Sequence, residues 1–232
     1  MCTSYESTSP ERFEAFSLFP RPSFDYKREI YKDYSAPIVR RTSDRWTTDS
    51  ATFGIVPRKH IPEGVKVFDT MNARSETIGQ KRSFRSAWNA LQLCLIPCDR
   101  FYEPCYETGK AVRWRIGLDS GEPLAIAGLW RAWKDHDGIE QLSFAMLTVE
   151  AGEHPLMKRF HRPDAEKRSV VIIPREHHEG WVASGSTDEA QSFLQTYPAD
   201  AMLAEPLPLP PRATTSKKSP DGEGQASLLA DG

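Results

Sequence analysis

The chain has no hydrophobic run long enough to span a bilayer. Its first residues, MCTSYESTSPERFEAF, carry neither the basic start nor the apolar stretch of a secretory signal. A cytoplasmic protein is the expectation. It also lacks an excess of either charge, with 30 Lys+Arg against 32 Asp+Glu. That balance excludes a polycation that coats nucleic acid, but not a local basic groove, because binding depends on where the charges sit. Cysteine is scarce. Cys2, Cys94, Cys98 and Cys105 are too few for a disulfide framework in 232 residues, so reduced thiols are expected. No paired CxxC occurs and Cys94 lies in an apolar run. Buried structural thiols are therefore a better reading than a zinc site, and neither metal nor cofactor is expected. There is no Gly-rich phosphate loop and no GxSxG. His178-Glu179 fails the HExxH pattern because Val182 stands where the second histidine belongs. No internal repeat is visible.

What is present is a dense strand signal. Ser9-Pro10 reads as the cap and first residue of a short amphipathic helix ending at Phe16, and residues 20–36 read as a loop. Short strands are expected at 36–40, 51–56 and 65–68, then a helix capped by Ser83 with Phe84, Ala87, Trp88 and Leu91 on one face. Strands follow at 91–96, 100–106, 112–118, 124–133, 142–149 and 169–173, separated by turn residues such as Asp119-Ser-Gly and Asp137-Gly138. Pro174 opens a helix through Trp181 and Val182, and Thr187 or Asp188 caps another. The expected fold is α+β: a single domain over 1–204, built on a curved, mainly antiparallel β-sheet or partly closed barrel with peripheral helices. Residues 205–232, rich in Pro, Ser and Gly, read as a disordered tail.

Four positions carry candidate chemistry. If Met1 is removed, Cys2 presents an amine and a thiol on one residue. The amine can condense with an aldehyde, and the sulfur can then close a five-membered thiazolidine on the same carbon. Asn72 opens the polar run Asn72-Ala-Arg-Ser-Glu-Thr77. Glu103 is a carboxylate inside the aromatic segment Cys98-Asp-Arg-Phe-Tyr-Glu-Pro-Cys105, and alternation puts it on the face opposite Tyr102. His161 lies in a loop-like stretch between Arg159 and Arg162, where it could face an anionic ligand.

Taken in order, Met1-Cys2, Phe53-Gly-Ile-Val-Pro57, Asn72-Ala-Arg-Ser-Glu-Thr77, Cys98-Asp-Arg-Phe-Tyr-Glu103, Ala127-Gly-Leu-Trp130, Phe144-Ala-Met-Leu-Thr148 and His161 with its downstream Glu-Lys-Arg-Ser-Val-Val-Ile-Ile resemble the SRAP family (SOS response-associated peptidase), whose members shield abasic sites. The resemblance implies self-removal of Met1 and a covalent thiazolidine between Cys2 and the abasic-site aldehyde in single-stranded DNA. It makes the chain a self-crosslinking enzyme with autopeptidase (hydrolase) and lyase-type activity, associated with the nucleoid when bound to DNA. Asn72 would orient the N-terminal residue, Glu103 would move protons and His161 would assist at the sugar. Arg74 and Thr148 match DNA-contacting positions, with Arg159 and Arg162 as further cations. Arg58, Lys59, Lys81 and Arg82 could line the same groove. No membrane and no obligate protein partner is implied, so a monomer is expected. The chain departs from the family pattern at Thr3-Ser4, at Asp33-Tyr-Ser-Ala-Pro37, at Pro104 and at Pro57-Arg-Lys-His60, where an aromatic is usual. Two other readings stay open beside it. One is a thiol hydrolase using Cys2 or Cys105 with His161 as base. The other is a non-catalytic DNA binder in which Cys2 is incidental.

Overall fold

The computed structural model describes residues 2–208, Asp44 and His136 excepted. The strands are β1 (Ser4–Ser7), β2 (Glu29–Tyr31), β3 (Ser35–Thr42), β4 (Arg45–Phe53), β5 (Asn72–Arg74), β6 (Leu93–Cys105), β7 (Val112–Leu118), β8 (Leu124–Lys134), β9 (Glu140–Glu150), β10 (Arg168–Val170), β11 (Ile172–Ile173) and β12 (Met202–Pro206). The helices α1 (Arg85–Asn89), α2 (His178–Val182) and α3 (Thr187–Ser192) are each a turn or two long. Among the described residues no helix is long and apolar enough to cross a membrane.

Five strands close on themselves: β6 pairs β8, β8 pairs β9, β9 pairs β4, β4 pairs β3, and β3 returns to β6 through Val39 opposite Leu95. The result is the expected partly closed barrel, antiparallel except where β4 and β5 run parallel to β9. Side chains divide by alternation. Cys94, Ile96, Phe144 and Met146 join one buried cluster with Phe53 and Ile126. Leu93, Leu95, Ala145 and Leu147 join a second with Phe13, Trp88 and Trp181, which come from the helices that cover the barrel. Both faces of these strands are therefore buried, which is why Leu93-Cys-Leu-Ile96 reads as an unbroken apolar run rather than an alternating one.

Strand β6 decides the architecture. The sequence suggests two strands broken near Pro97, yet one strand of 13 residues runs through it. Proline is tolerated there because β6 changes partners at that point. Its first half borders β3 and β8, and its second half leaves the barrel to border β1 and β7. The Pro97 carbonyl accepts from Thr8 at this junction, where no ladder needs the missing N–H. Buried Asp99 just beyond it is held by Arg12 and Arg28 at 3.0 and 2.6 Å.

Several local expectations differ from the structure. The segment 20–36 contains β2, whose Ile30 is buried opposite Tyr5. The segment 65–68 forms no strand, and Val65, Val67 and Phe68 are exposed. The helix after Ser9 is a 3-10 turn over Pro10–Ala15, and Ser186 rather than Thr187 caps α3 by accepting from the Glu189 N–H. Strand β12 pairs Glu205 and Pro206 with Arg115 and Trp114, so the ordered chain passes the expected boundary at 204. The rest of the Pro/Ser-rich tail, from 209 on, lies outside the described residues, as does Met1.

Candidate functional site

The site forms where β9 and β6 outrun the barrel. Beyond its barrel partners, β9 takes β5 on one edge, with Asn72 opposite Met146 and Arg74 opposite Thr148. It takes β10 on the other edge, with Arg168 opposite Glu150. The second half of β6 carries Glu103 alongside β1, which delivers Cys2 to the same end. The His161 N–H donates to the Pro104 carbonyl at 2.8 Å beside a bridge between Cys105 and Phe160, so the 160s loop is stitched to the end of β6.

These contacts bring the four candidate catalytic residues together, all buried. Asn72 Nδ2 donates to the Cys2 carbonyl at 2.7 Å. Asn72 Oδ1 is buried without a hydrogen-bond partner among the described residues, so an acceptor is left over beside Cys2. Cys2 is fully buried and its Sγ–H donates to the Ser4 carbonyl at 3.1 Å. Burial, and then the nearby Glu103 charge, push its thiol up to about 12, so the resting sulfur is a thiol and not a thiolate. Glu103 is 2 % exposed, and desolvation raises its carboxyl to about 7. His161 Nδ1 lies 3.2 Å from Glu103 Oε2. Its Nε2 is 3.1 Å from the Arg168 carbonyl. Burial, with the Lys167 and Arg168 cations acting in the same sense, lowers the imidazole to about 4. It is neutral at pH 7. His161 is not a surface histidine flanked by cations: it is 6 % exposed and holds a left-handed φ of 65°.

A cavity of about 480 Å³ is lined among others by Thr3, Ser4, Tyr31, Tyr102, Glu103 and Arg113, and of the four candidate residues it touches Glu103 alone. A larger groove of about 750 Å³ between 154–159 and 196–200 includes Arg159 but none of the reactive groups. Cys94, Cys98 and Cys105 are buried in the core, and among the described residues no cluster has the composition of a metal site. Cys105 is 3 % exposed and Cys2 fully buried.

The expected DNA-contacting residues are distributed differently from one another. Arg74 is half exposed and pairs with Glu166 at 2.6 Å. Arg159 forms a two-point pair with Glu107 at 2.8 and 3.0 Å. Arg162 is exposed. Thr148 is 1 % exposed: its hydroxyl accepts from Arg168 Nε at 3.1 Å and its carbonyl accepts from Arg168 Nη2 at 2.7 Å. Arg58 and Lys59 line a separate cavity with Asp33 and Glu63. Where an aromatic is usual for the family, His60 stacks on Trp133 with ring centroids 4.4 Å apart.

The residue that sequence reasoning missed is Arg168. It is 2 % exposed, yet charged, and is held by Glu76 at 2.8 Å, Glu166 at 2.5 Å and both oxygens of Thr148. Buried arginines are rare unless paired. The only local signal is a cation two residues before the apolar run Val170-Val-Ile-Ile173, and it opens strand β10.

The model of the SOS response associated peptidase (SRAP) family matches residues 1–208. Among curated proteins, the abasic site processing protein YoaM of Bacillus subtilis is 27% identical over 197 residues, 84% of this chain and 83% of the relative. The abasic site processing protein YoqW of the same organism is 34% identical over 155 residues, 66% of this chain and 65% of that protein. A solved structure of a protein from Bordetella bronchiseptica superposes with a TM-score of 0.80 at 32% identity, over 90% of this chain and 100% of that one. One from Bacteroides thetaiotaomicron shares the fold at a TM-score of 0.70 and 21% identity, over 95% of this chain and 97% of that one. With nearly all of its described length matched, from Cys2 at the site to the end of β12, the chain belongs to the SRAP family.

Proposed function

We propose that this protein processes abasic sites in single-stranded DNA by crosslinking itself to them through Cys2, once Met1 has been removed. The observation that carries the reading is the arrangement around Cys2: its carbonyl fixed by Asn72, with a protonatable Glu103 and a neutral His161 buried beside it. The names of the curated relatives supply the substrate class.

The chemistry follows from the protonation states. The freed Cys2 amine adds to the ring-opened sugar aldehyde. Glu103, close to half protonated at neutral pH, gives its proton to the carbinolamine oxygen, which leaves as water, and takes back the nitrogen proton as the neutral imine forms. The Cys2 sulfur then adds to the imine carbon while its proton passes to the nitrogen. The product is a thiazolidine, and one water is lost overall. Because both nucleophiles belong to one residue, the second attack is intramolecular. Asn72 Oδ1 is available to accept from the amine or from a sugar hydroxyl. Arg74, Arg159 and Arg162 would meet phosphates, a geometry that suits the guanidinium fork. Thr148 would enter through its hold on Arg168.

Intact mass spectrometry tests this. The expected species lacks methionine and gains the mass of an abasic oligonucleotide, less water, in an adduct that survives salt and denaturant. Cys2→Ala should fold and bind but form no adduct, because the substitution removes a single sulfur from the buried position and with it the ring-closing nucleophile. A wild-type protein that loses Met1 and still forms no adduct would sink the proposal.

A further inference from the structure

We infer that Lys167 is a positioning residue for His161, its ammonium strapping the loop that presents the imidazole to Glu103. This inference rests on the reaction proposed above. Lys167 Nζ lies 3.0 Å from the Phe160 carbonyl, 3.3 Å from that of His161 and 2.7 Å from that of Arg162. An ammonium has three donors and no acceptor, and here three consecutive backbone oxygens take all three.

The arrangement has a physical purpose. His161 is one of four non-glycine residues at positive φ among the described residues, and a side chain there strains the backbone. Such a conformation persists only where its surroundings over-determine it. The amide of His161 is tied to Pro104 and its ring to the Arg168 carbonyl, so the strap is the third hold on one residue. Acidic neighbours do not compete for the lysine: Glu166 next to it is committed to Arg74 and Arg168. Lys167 also stands directly before β10, where its own carbonyl accepts from Ala151, so its stem is fixed to the sheet. The strap thus ties to β9 and β10 a loop otherwise held by the His161 N–H, the imidazole and the bridge between Cys105 and Phe160.

The test uses Lys167→Met, which keeps the length of the side chain and removes the ammonium. Single-turnover crosslinking at saturating abasic DNA should slow by about tenfold, the scale of a small misplacement of a reacting group. In a His161→Ala background the same substitution should cause no further loss. Lys167→Arg, which restores donors, should recover part of the rate. Equal rates for Lys167→Met and wild type, or equal losses in both backgrounds, would overturn the positioning role. A second readout needs no DNA. Hydrogen exchange at the His161 amide should accelerate in Lys167→Met while the barrel amides of β9 hold, and unchanged exchange overturns the strap whatever the crosslinking assay gives. Faster exchange in a protein whose wild type never crosslinks would instead count against the proposed reaction.

Discussion

Nδ1 of His161 stands 3.2 Å from Oε2 of Glu103, with both side chains buried. The tautomer of the ring follows from its other side. Nε2 faces the Arg168 carbonyl, which can only accept, so Nε2 carries the imidazole proton and Nδ1 is a lone pair. Burial raises the carboxyl to about 7 and lowers the imidazole to about 4, so a neutral imidazole stands beside a carboxyl that is close to half protonated at neutral pH.

The first prediction concerns pH. The folded-state pKa of Glu103 is raised from 4.5 to about 7, so the folded protein holds this proton more tightly than the unfolded chain. The resulting stability is fully present below about 4.5 and is lost as pH rises through about 7. Glu103→Gln, which cannot ionise, should therefore gain thermal stability relative to wild type across that window. Its crosslinking should be slower throughout. Melting temperatures for both proteins at a series of pH values check this, and a pH-independent difference would refute it.

A second prediction concerns the carboxylates on the candidate DNA surface. In the free protein Arg74 is paired with Glu166 and Arg159 with Glu107, so a phosphate must displace a carboxylate to bind either one. Glu107→Gln and Glu166→Gln should each tighten binding of undamaged single-stranded DNA. Each should also steepen the dependence of log K on log salt by up to about 0.7, one counterion for a single strand. Anisotropy titrations across salt concentrations measure both effects. Weaker binding in both variants would place the strand elsewhere.

The third concerns Arg168. Its charge is buried among Glu76, Glu166 and Thr148, so Arg168→Met leaves the Thr148 oxygens and Glu76 without their cation and Glu166 with Arg74 alone. A fully buried pair broken this way loses about 3–5 kcal/mol. Because Glu76 and Glu166 are partly exposed, about 2 kcal/mol is the expectation. Arg74→Ala, which removes a half-exposed charge, should lose less than about 0.5 kcal/mol. Urea unfolding separates the two, and equal losses would contradict the burial argument.

Cys2, Asn72, Glu103 and His161 were legible because each is a chemically conspicuous residue in an ordered series of short motifs. The strands from 112 to 149 were legible because turn residues bracket apolar runs of strand length. Elsewhere local signals misled. The apolar residues Val65, Val67 and Phe68 look like a strand but find no partner. Pro97 looks like a break but lies where β6 changes neighbours. Arg168 stands in the motif downstream of His161 without a role of its own, and only its burial against Thr148 of β9 gives it one.

By itself, the sequence determined the chemistry on offer: a thiol at position 2, an amide, a carboxyl and an imidazole, on a chain with the strand content of a curved sheet. The tertiary structure decided their states. Burial at the open end of the barrel makes Glu103 an acid near neutrality, keeps His161 uncharged and Cys2 protonated, and pairs Arg74 and Arg159 with carboxylates. The physical reason is that protonation and pairing depend on desolvation and on neighbours distant in sequence. β6, β9 and the 160s loop bring those neighbours together only when the chain is folded.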